Sequence, residues 1–392
     1  MSKIVFFCIP AQGHTNPTLG VVRELTARGH EVLYYSYEPF RGKIEAAGAK
    51  FFPCEAFDAE ARLTPAEGAK VGSDLALSTR VLVDTTLALD EAVCGEMARL
   101  KPDCIVADSM AVWGKAVALK LGIPYVCSTT TFAFNQHSAK IMKRSVKELF
   151  SMIFSMGAVN KQIKRLQDHG FPVKNILDII ASDEKTHTIV YTSPQFQPCA
   201  ETFPAEKYAF VGPSIRPAET VFPKTRDKLI YISMGTVNND MLPLYRNCID
   251  ALRDAPWQVV LSVGGQVDIG KLGPLPEHIS VYPSVDQIAV LQKADVFLTH
   301  CGMNSASEAL YYGVPLVMLP KTSEQGAVAI RTEQLGAGLR LAKTTPKAIR
   351  ESLEAVLDDS SYRKSAAAIA AGFHACAGAK GAADKIESVC QS

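Results

Sequence analysis

The sequence predicts an α/β protein of two domains, each built as a parallel β-sheet with helical crossovers. Its 392 residues are too many for one ordinary α/β core and are sufficient for two. Short apolar runs alternate with amphipathic helix patterns in both halves, which is typical of parallel sheets. A passage rich in proline separates the halves near residues 215–223. We therefore expect two compact units joined by a hinge that closes a cleft.

The first domain opens with an apolar run over residues 5–9, which predicts its first strand. Asn16 and Pro17 then predict the start of a helix, because Asn is a good N-cap and Pro suits the first helical position. Gly29 is the expected stop. His14 is therefore predicted to lie in the loop between the strand and the helix.

Asp108 follows another apolar run, residues 104–107, and is predicted to reach the same carboxyl edge of the sheet as His14. Each residue also has a simpler interpretation as a cap for the helix that follows it. From the residues alone, that capping interpretation is slightly favoured. Residues 188–192 predict the last strand of this domain.

The second domain is organised around residues 294–341. There an apolar run leads through a polar, glycine-bearing turn into an amphipathic helix. In such a unit the loop backbone and the first helical N–H groups can hold an anion. Asn or Ser would cap the helix, and a diphosphate would fit beside it. The turn carries His300, Gly302, Asn304 and Ser305.

Further acceptor groups flank this turn. Glu308 lies four residues after Asn304, about one helical turn, so its carboxylate can face the same cleft and accept hydrogen bonds from a sugar diol. A second strand-like run at residues 315–319 is followed by Glu324 and Gln325. The polar residues that follow these two strand-like runs are thus predicted to flank one cleft.

A second phosphate contact is predicted after the strand-like run at residues 229–233. Gly235 permits close backbone approach, and the hydroxyl of Thr236 could donate to a phosphate. This short motif is a weak signal alone, and its value comes from the pairing with His300.

Residues 130–171 carry methionine and phenylalanine side chains at helical spacing, among them Phe132, Phe134 and Met152. Such stripes are more often core than ligand site. An apolar wall would also suit a flat, apolar ligand, and that alternative remains open.

Composition narrows the class of protein. Hydrophobic residues make up 47% of the chain, charged residues 21%, and the net charge is +1, which gives no electrostatic case for nucleic acid or an anionic membrane. No apolar stretch reaches the length of a membrane span, and the N-terminus lacks a signal-peptide pattern. The ten cysteines are scattered without CxxC spacing, which favours reduced thiols in the cytoplasm.

The stretch HCGMNSASEALYYGVPLVMLPKTSEQ resembles the donor-binding signature of UDP-dependent glycosyltransferases with the GT-B fold, most of all their bacterial macrolide- and polyphenol-modifying branch. The resemblance extends to YISMGT, VGPS and GHTNPT, in the family's order along most of the chain. It implies two Rossmann-like, doubly wound domains facing across a cleft. Residues 1–214 would bind the acceptor and residues 215–372 the donor, and a helix within residues 373–392 would pack back on the first domain.

The resemblance also implies a reaction: inverting transfer of a sugar, with glucose expected, from a UDP-sugar to a hydroxyl of a small apolar acceptor such as a flavonoid, another phenol or a macrolide. His14 would be the general base and Asp108 would orient it. The UDP-sugar is a co-substrate, and neither a metal nor a cofactor is expected, in keeping with the lack of an Asp-x-Asp motif. The implied donor contacts are Thr236, Gln287, His300, Gly302, Asn304, Ser305, Glu308, Glu324 and Gln325, and the acceptor contacts are Phe132, Phe134 and Met152.

The chain departs from the family pattern at three positions. Relatives commonly have an aromatic residue for uracil stacking where Ser284 stands, and a proline where Asp286 stands. Tyr282 is the candidate substitute for stacking. Met303 replaces the tryptophan of plant members.

Other functions remain as alternatives. A nicotinamide dehydrogenase would need a G-x-G-x-x-G turn after the first strand, and residues 9–14 lack one. A sugar-nucleotide 2-epimerase or a lipid-acceptor transferase would keep the diphosphate loop but would not account for His14 with Asp108. A non-catalytic sugar-nucleotide binding module would be expected to have lost those two residues.

Overall fold

The computed structural model describes residues 1–57, 63–64, 67, 74–141, 146–180, 186–235 and 241–391. Over these residues the chain forms two β-sheets in which every paired strand is parallel. The predicted class, α/β with two parallel-sheet domains, is confirmed.

The first sheet has the strand order β3-β2-β1-β4-β5-β6-β7. Its strands are β1 (Lys3–Phe7), β2 (Glu31–Ser36), β3 (Lys50–Pro53), β4 (Cys104–Asp108), β5 (Tyr125–Thr129), β6 (His187–Val190) and β7 (Tyr208–Phe210). The strand predicted over residues 188–192 is β6, but the expectation that it ends the sheet is wrong, because β7 pairs with its outer edge. The central strands are buried on both faces, which explains their uninterrupted apolar runs.

The second sheet has the order β10-β9-β8-β11-β12-β13. Its strands are β8 (Leu229–Ser233), β9 (Gln258–Ser262), β10 (Ile279–Tyr282), β11 (Val296–Thr299), β12 (Leu316–Met318) and β13 (Gly338–Arg340). The order reverses between β8 and β11, as it does between β1 and β4 in the first sheet. Ligands of open parallel sheets bind at the carboxyl ends of the strands where the order reverses.

Helices cover both faces of each sheet. Those of the first domain are α1 (Gln12–Ala27), α2 (Arg41–Ala46), α3 (Leu75–Leu89), α4 (Gly95–Leu100), α5 (Val112–Leu121), α6 (Val146–Asp168) and α7 (Leu177–Ile180). Those that follow are α8 (Leu242–Leu252), α9 (Gln287–Leu291), α10 (Met303–Tyr311), α11 (Ser323–Gln334), α12 (Pro346–Asp358), α13 (Ser360–His374) and α14 (Gly378–Cys390). Within the described ranges, no helix is both long enough and apolar enough to cross a bilayer.

Helix α1 starts earlier than its sequence predicts. Ala11 is its extended N-cap and Gln12 its first residue, so Asn16 is not the cap and Pro17 lies inside the helix. Local capping preference placed the start at Asn16, yet the chain turns into the helix directly after β1. His14 consequently lies in the first helical turn and not in a loop.

The C-terminal helix α14 packs on the first domain. Ala382, Ala383 and Ile386 of this helix are fully buried and belong to the core cluster around β1 and β4. Helix α13 extends to His374, past residue 372, where the sequence analysis divides the domains. The chain therefore returns to the first domain through the short connection between α13 and α14.

An aromatic seam joins the two domains. The ring of Phe196 lies 5.5 Å from Phe132, both in the first domain, and 5.6 Å from Phe373 of α13. Arg331 of α11 donates to the carbonyl oxygens of Gln195, at 2.7 Å, and Phe196, at 3.0 Å. These contacts hold the second domain against residues 195–196 of the first domain.

Candidate active site

The polar residues singled out in the sequence lie where the strand order reverses in each sheet. His14 lies after β1, and Asp108 is the last residue of β4. Gly235 lies after β8, and His300 directly follows β11. Where the strand order of an open parallel sheet reverses, a crevice forms outside the carboxyl ends of the two central strands, so each domain has a crevice at this point. A hydrogen bond from Asn304 of the second domain to Gly13 of the first shows that the two crevices face one another.

His14 and Asp108 form a hydrogen-bonded pair. The Nδ1 atom of His14 lies 2.8 Å from Oδ2 of Asp108, whose side chain is fully buried. The other carboxylate oxygen accepts the backbone N–H of Met110 at 2.8 Å, which fixes the orientation of the carboxylate. A donating Nδ1–H leaves the Nε2 lone pair of His14 to accept a proton.

Thr130 is a site residue that the sequence analysis did not select. Its Oγ1 lies 3.2 Å from the same Nδ1 of His14, and the side chain is buried at the end of β5. The available signal was a run of three threonines, residues 129–131, beginning at the carboxyl end of β5. Thr130 therefore helps to hold the imidazole in one orientation.

The electrostatics of His14 favour its protonated form. Burial lowers the pKa of the imidazole, but the charge and hydrogen bond of Asp108, together with the charge of Glu324, outweigh burial and raise the pKa above its ordinary value. Glu324 belongs to the second domain, so a charge of one domain affects the protonation of a residue of the other. A histidine with this pKa is well placed to take up a proton near neutral pH.

His300 is partly buried in the second domain. Burial lowers its pKa, and its Nδ1 is buried without a hydrogen-bond partner among the residues described. Gly235 has a φ of +84°, and a Cβ there would lie 2.6 Å from Cε1 of His300. Gly302 packs as closely, since a Cβ there would lie 2.6 Å from Nε2 of His300. Thr236, the predicted second phosphate contact, lies outside the described residues.

Helix α10 begins at Met303 with Gly302 as its N-cap, and no side chain caps it. The predicted capping role of Asn304 or Ser305 is therefore wrong. Cys301, immediately before the cap, has a φ of +64°, a left-handed conformation that costs energy for a residue other than glycine. This turn leaves the first N–H groups of α10 without side-chain caps, which is the arrangement that binds phosphate oxygens.

Glu308 is oriented by Gln287. The amide Nε2 of Gln287 donates to Glu308 Oε2 and, at 3.4 Å, to Ser305 Oγ, while its Oε1 accepts from the hydroxyl of Tyr231 at 3.1 Å. Burial raises the pKa of Glu308, and the hydrogen bond from Gln287 partly opposes that rise. The cluster therefore fixes the orientation of a carboxylate in the second turn of α10.

The residues at the expected uracil end lie at the surface. Ser284 is exposed, and the Tyr282 side chain at the end of β10 is 38% exposed. An exposed aromatic ring at a carboxyl strand end is available for stacking on a base.

Glu324 and Gln325 lie in the first turn of α11. Glu324 is exposed at its place in the first turn, yet partial desolvation by the surrounding atoms raises the pKa of its carboxyl group, while the charge of the nearby His14 lowers it. Gln325 forms a capping box with Thr322: its Oε1 accepts from the backbone N–H groups of Lys321 and Thr322. The Nε2 group of Gln325 takes no part in the capping box.

The three predicted acceptor contacts have different surroundings. Phe132 is only 2% exposed and packs in the aromatic seam with Phe196, so it does not face an open pocket. Phe134 is half-buried against the neighbouring core. Met152 belongs to α6, but its side chain lies outside the described part. Among the described residues, no three His, Cys, Asp or Glu side chains cluster closely enough to hold a metal ion.

Comparisons with known proteins agree with this architecture. Residues 246–387 match the family described as "Erythromycin biosynthesis protein CIII-like, C-terminal domain". An uncharacterised UDP-glucosyltransferase of Bacillus subtilis is 32% identical, over 98% of this chain and 97% of that protein. The demethyllactenocin mycarosyltransferase of Streptomyces fradiae is 31% identical, over 99% of this chain and 87% of that protein. The solved glycosyltransferase of kitacinnamycin superposes with a TM-score of 0.87 at 27% identity, covering 99% of both chains.

Two Rossmann-like domains that face each other through their carboxyl strand ends define the GT-B class. The chain belongs to the UDP-dependent glycosyltransferases of this fold, in the bacterial branch that includes macrolide and other natural-product glycosyltransferases. It is an enzyme of that family.

Proposed function

We propose that the enzyme transfers glucose from UDP-glucose to a hydroxyl of a small apolar acceptor, such as a flavonoid, another phenol or a macrolide, with inversion at the anomeric carbon. The observation that carries this proposal is the 2.8 Å contact between His14 and Asp108, set opposite the uncapped N-terminus of α10. A base and an anion site on facing walls are what direct displacement of a nucleoside diphosphate requires.

In this mechanism Nε2 of His14 removes the acceptor hydroxyl proton as the oxygen attacks the anomeric carbon. Asp108 holds the imidazole and stabilises the imidazolium that forms. Such positioned proton transfer is worth on the order of 10²- to 10⁴-fold in rate. The bond from the sugar to the diphosphate breaks, and the charge on the departing UDP is stabilised by N–H groups of α10, with His300 beside them.

The donor specificity rests on Glu308. A carboxylate that accepts hydrogen bonds from both ribose hydroxyls loses a partner when one hydroxyl is missing, which favours UDP over a deoxyribose donor. Glu324 and the Nε2 group of Gln325 would contact sugar hydroxyls. We propose that no metal or cofactor takes part, and that the enzyme is cytoplasmic; its ten cysteines are free thiols.

The test is a mass-spectrometric transfer assay with UDP-glucose, EDTA, and a panel of flavonoids, simple phenols and macrolides, using the wild type and His14→Ala. A gain of one hexose with the wild type only supports the reaction, its metal independence and the base. A parallel reaction with dTDP-glucose tests the role of Glu308. Bound UDP-glucose without any product would favour the epimerase or binding-module alternatives, and transfer to a lipid acceptor alone would favour the lipid-acceptor enzyme.

A further inference from the structure

The side chain of Asn304 contacts the other domain. Its Nδ2 donates to the carbonyl oxygen of Gly13 at 2.7 Å, across a separation of 291 residues in sequence. Asn304 is the second residue of α10, and Gly13 immediately precedes His14 in the first turn of α1. One hydrogen bond therefore joins the start of the donor-side helix to the start of the helix that carries the general base.

The Gly13 carbonyl is available for this bond because of Pro17. In an α-helix the carbonyl of residue 13 would accept the N–H of residue 17, but proline has no N–H. A carbonyl without its helical N–H partner loses a hydrogen bond on folding unless another donor replaces it. The amide of Asn304 supplies that donor from the second domain.

Gly13 also allows the approach. A Cβ at this position would lie 3.0 Å from Asn304 Nδ2, which is tighter than ordinary packing. The glycine, the proline four residues later and the asparagine of the other domain thus form one arrangement. All three residues contribute to the same interdomain hydrogen bond.

We propose that Asn304 is a positioning residue: its side chain sets the distance between His14 and the diphosphate site by tethering the first turn of α1 to the first turn of α10. This inference rests on the proposed function, and it gives the Asn304 side chain a role other than that of a diphosphate ligand. Positioning matters because a displacement of about 1 Å between reacting groups can cost on the order of 100-fold in rate.

The experiment compares Asn304→Ala and Asn304→Ser with Arg331→Ala. Serine keeps a polar group in the first turn of α10 but is too short to reach the Gly13 carbonyl. Arg331 also makes hydrogen bonds across the domains, to Gln195 and Phe196, but lies in the seam. It is therefore a matched control for loss of an interdomain contact without loss of the tether.

Three quantities are measured: the Kd for UDP, kcat at saturating UDP-glucose, and hydrogen–deuterium exchange of the peptide that covers residues 12–18. We expect both Asn304 variants to keep the Kd within about twofold, to lose on the order of 10- to 100-fold in kcat, and to exchange faster in that peptide. Arg331→Ala should keep kcat within about twofold and leave the exchange of that peptide unchanged.

A weaker UDP affinity by tenfold or more, with kcat unchanged at saturation, would show Asn304 to be a diphosphate ligand only and would overturn the inference. Unchanged exchange at residues 12–18 would overturn it as well. Failure of the wild type to transfer any sugar would instead count against the proposed function, and the exchange measurement would still decide whether the tether exists.

Discussion

The carboxylate of Asp286 accepts a hydrogen bond from the guanidinium of Arg216 at 2.7 Å. It also accepts the backbone N–H groups of Glu219, at 2.7 Å, and Thr220, at 2.9 Å. Arg216, Glu219 and Thr220 belong to the linker between the domains, whereas Asp286 is the N-cap residue of α9. Where the family resemblance implies a proline, this chain therefore has an anchor for its linker.

Asp286→Ala should detach the linker and lower the free energy of unfolding by about 1–3 kcal/mol, since several donors lose their acceptor. Burial raises the pKa of Asp286, but the linker N–H groups and Arg216 outweigh it and lower that pKa below its ordinary value. Its contribution is thus complete above the ordinary pKa and is lost as the pH falls through the lowered one. Denaturant titrations at neutral and acidic pH measure both effects. An unchanged unfolding midpoint for Asp286→Ala at neutral pH would contradict the anchor.

The pH profile of activity should depend on Asp108. The base is neutral imidazole, and the pKa of His14 is raised above 6.5, so kcat/KM of the wild type should fall as the pH drops through that raised value. Asp108→Asn removes the charge that raises the pKa and keeps the burial that lowers it. The acidic limb should therefore move to lower pH, with a loss of kcat on the order of 10²- to 10⁴-fold.

Initial rates with the best acceptor, measured from pH 5 to 9, test this prediction. Asp84→Asn is a suitable control, because Asp84 pairs with Arg165 on the surface and does not contact His14. An acidic limb that stays in place in Asp108→Asn would mean that another group controls it.

Gly235→Ala should displace His300. The added Cβ would lie 2.6 Å from Cε1 of the imidazole, on a backbone with a φ of +84°. Gly29→Ala is the matched control, since Gly29 has a φ of +85° and no atom within 4 Å of an added Cβ. Both variants should lose about 1 kcal/mol of stability from backbone strain. Only Gly235→Ala should also weaken UDP binding, by about tenfold or more in calorimetry. Equal UDP affinities in the two variants would exclude the close contact with His300.

Arg28 attaches the C-terminal helix to the first domain. Its guanidinium contacts Asp384 at 2.6 Å and Glu387 at 2.8 Å, both in α14, as well as Glu24 at 2.9 Å in its own helix. Because the pairs are partly exposed but form a network, Arg28→Ala should cost about 1 kcal/mol, and less at high salt.

The matched control is Arg41→Ala, because the ion pairs of Arg41 among the described residues are with Glu38 and Glu45 in its own segment, and its guanidinium otherwise lies over the Phe51 ring at 4.4 Å. Its loss should leave the urea unfolding midpoint close to that of the wild type, because exposed ion pairs contribute little to stability. Urea unfolding in 0.05 M and 1 M salt compares the two variants. A loss for Arg28→Ala that does not diminish with salt would point to packing and not to charge.

The sequence by itself determined the class of fold and the edges at which the site lies. An uninterrupted apolar run followed by a polar residue is a local pattern, because a strand buried on both faces must end where the chain meets solvent. That pattern placed Asp108 and His300 at carboxyl strand ends, and length with the proline-rich linker gave two domains. The start of α1 was missed, because Asn16 and Pro17 satisfy the local capping rule while the chain turns into the helix directly after β1.

Only the tertiary structure decided which polar groups meet. Asn304 donates to Gly13, Gln287 orients Glu308, and Thr130 joins His14, through contacts between residues far apart in the chain. Phe132 likewise lies in the seam and not in an open pocket. Such pairings depend on how two sheets and their helices pack, and no periodicity along one segment records them. Spacing could place donors and acceptors at an edge, but packing selected their partners.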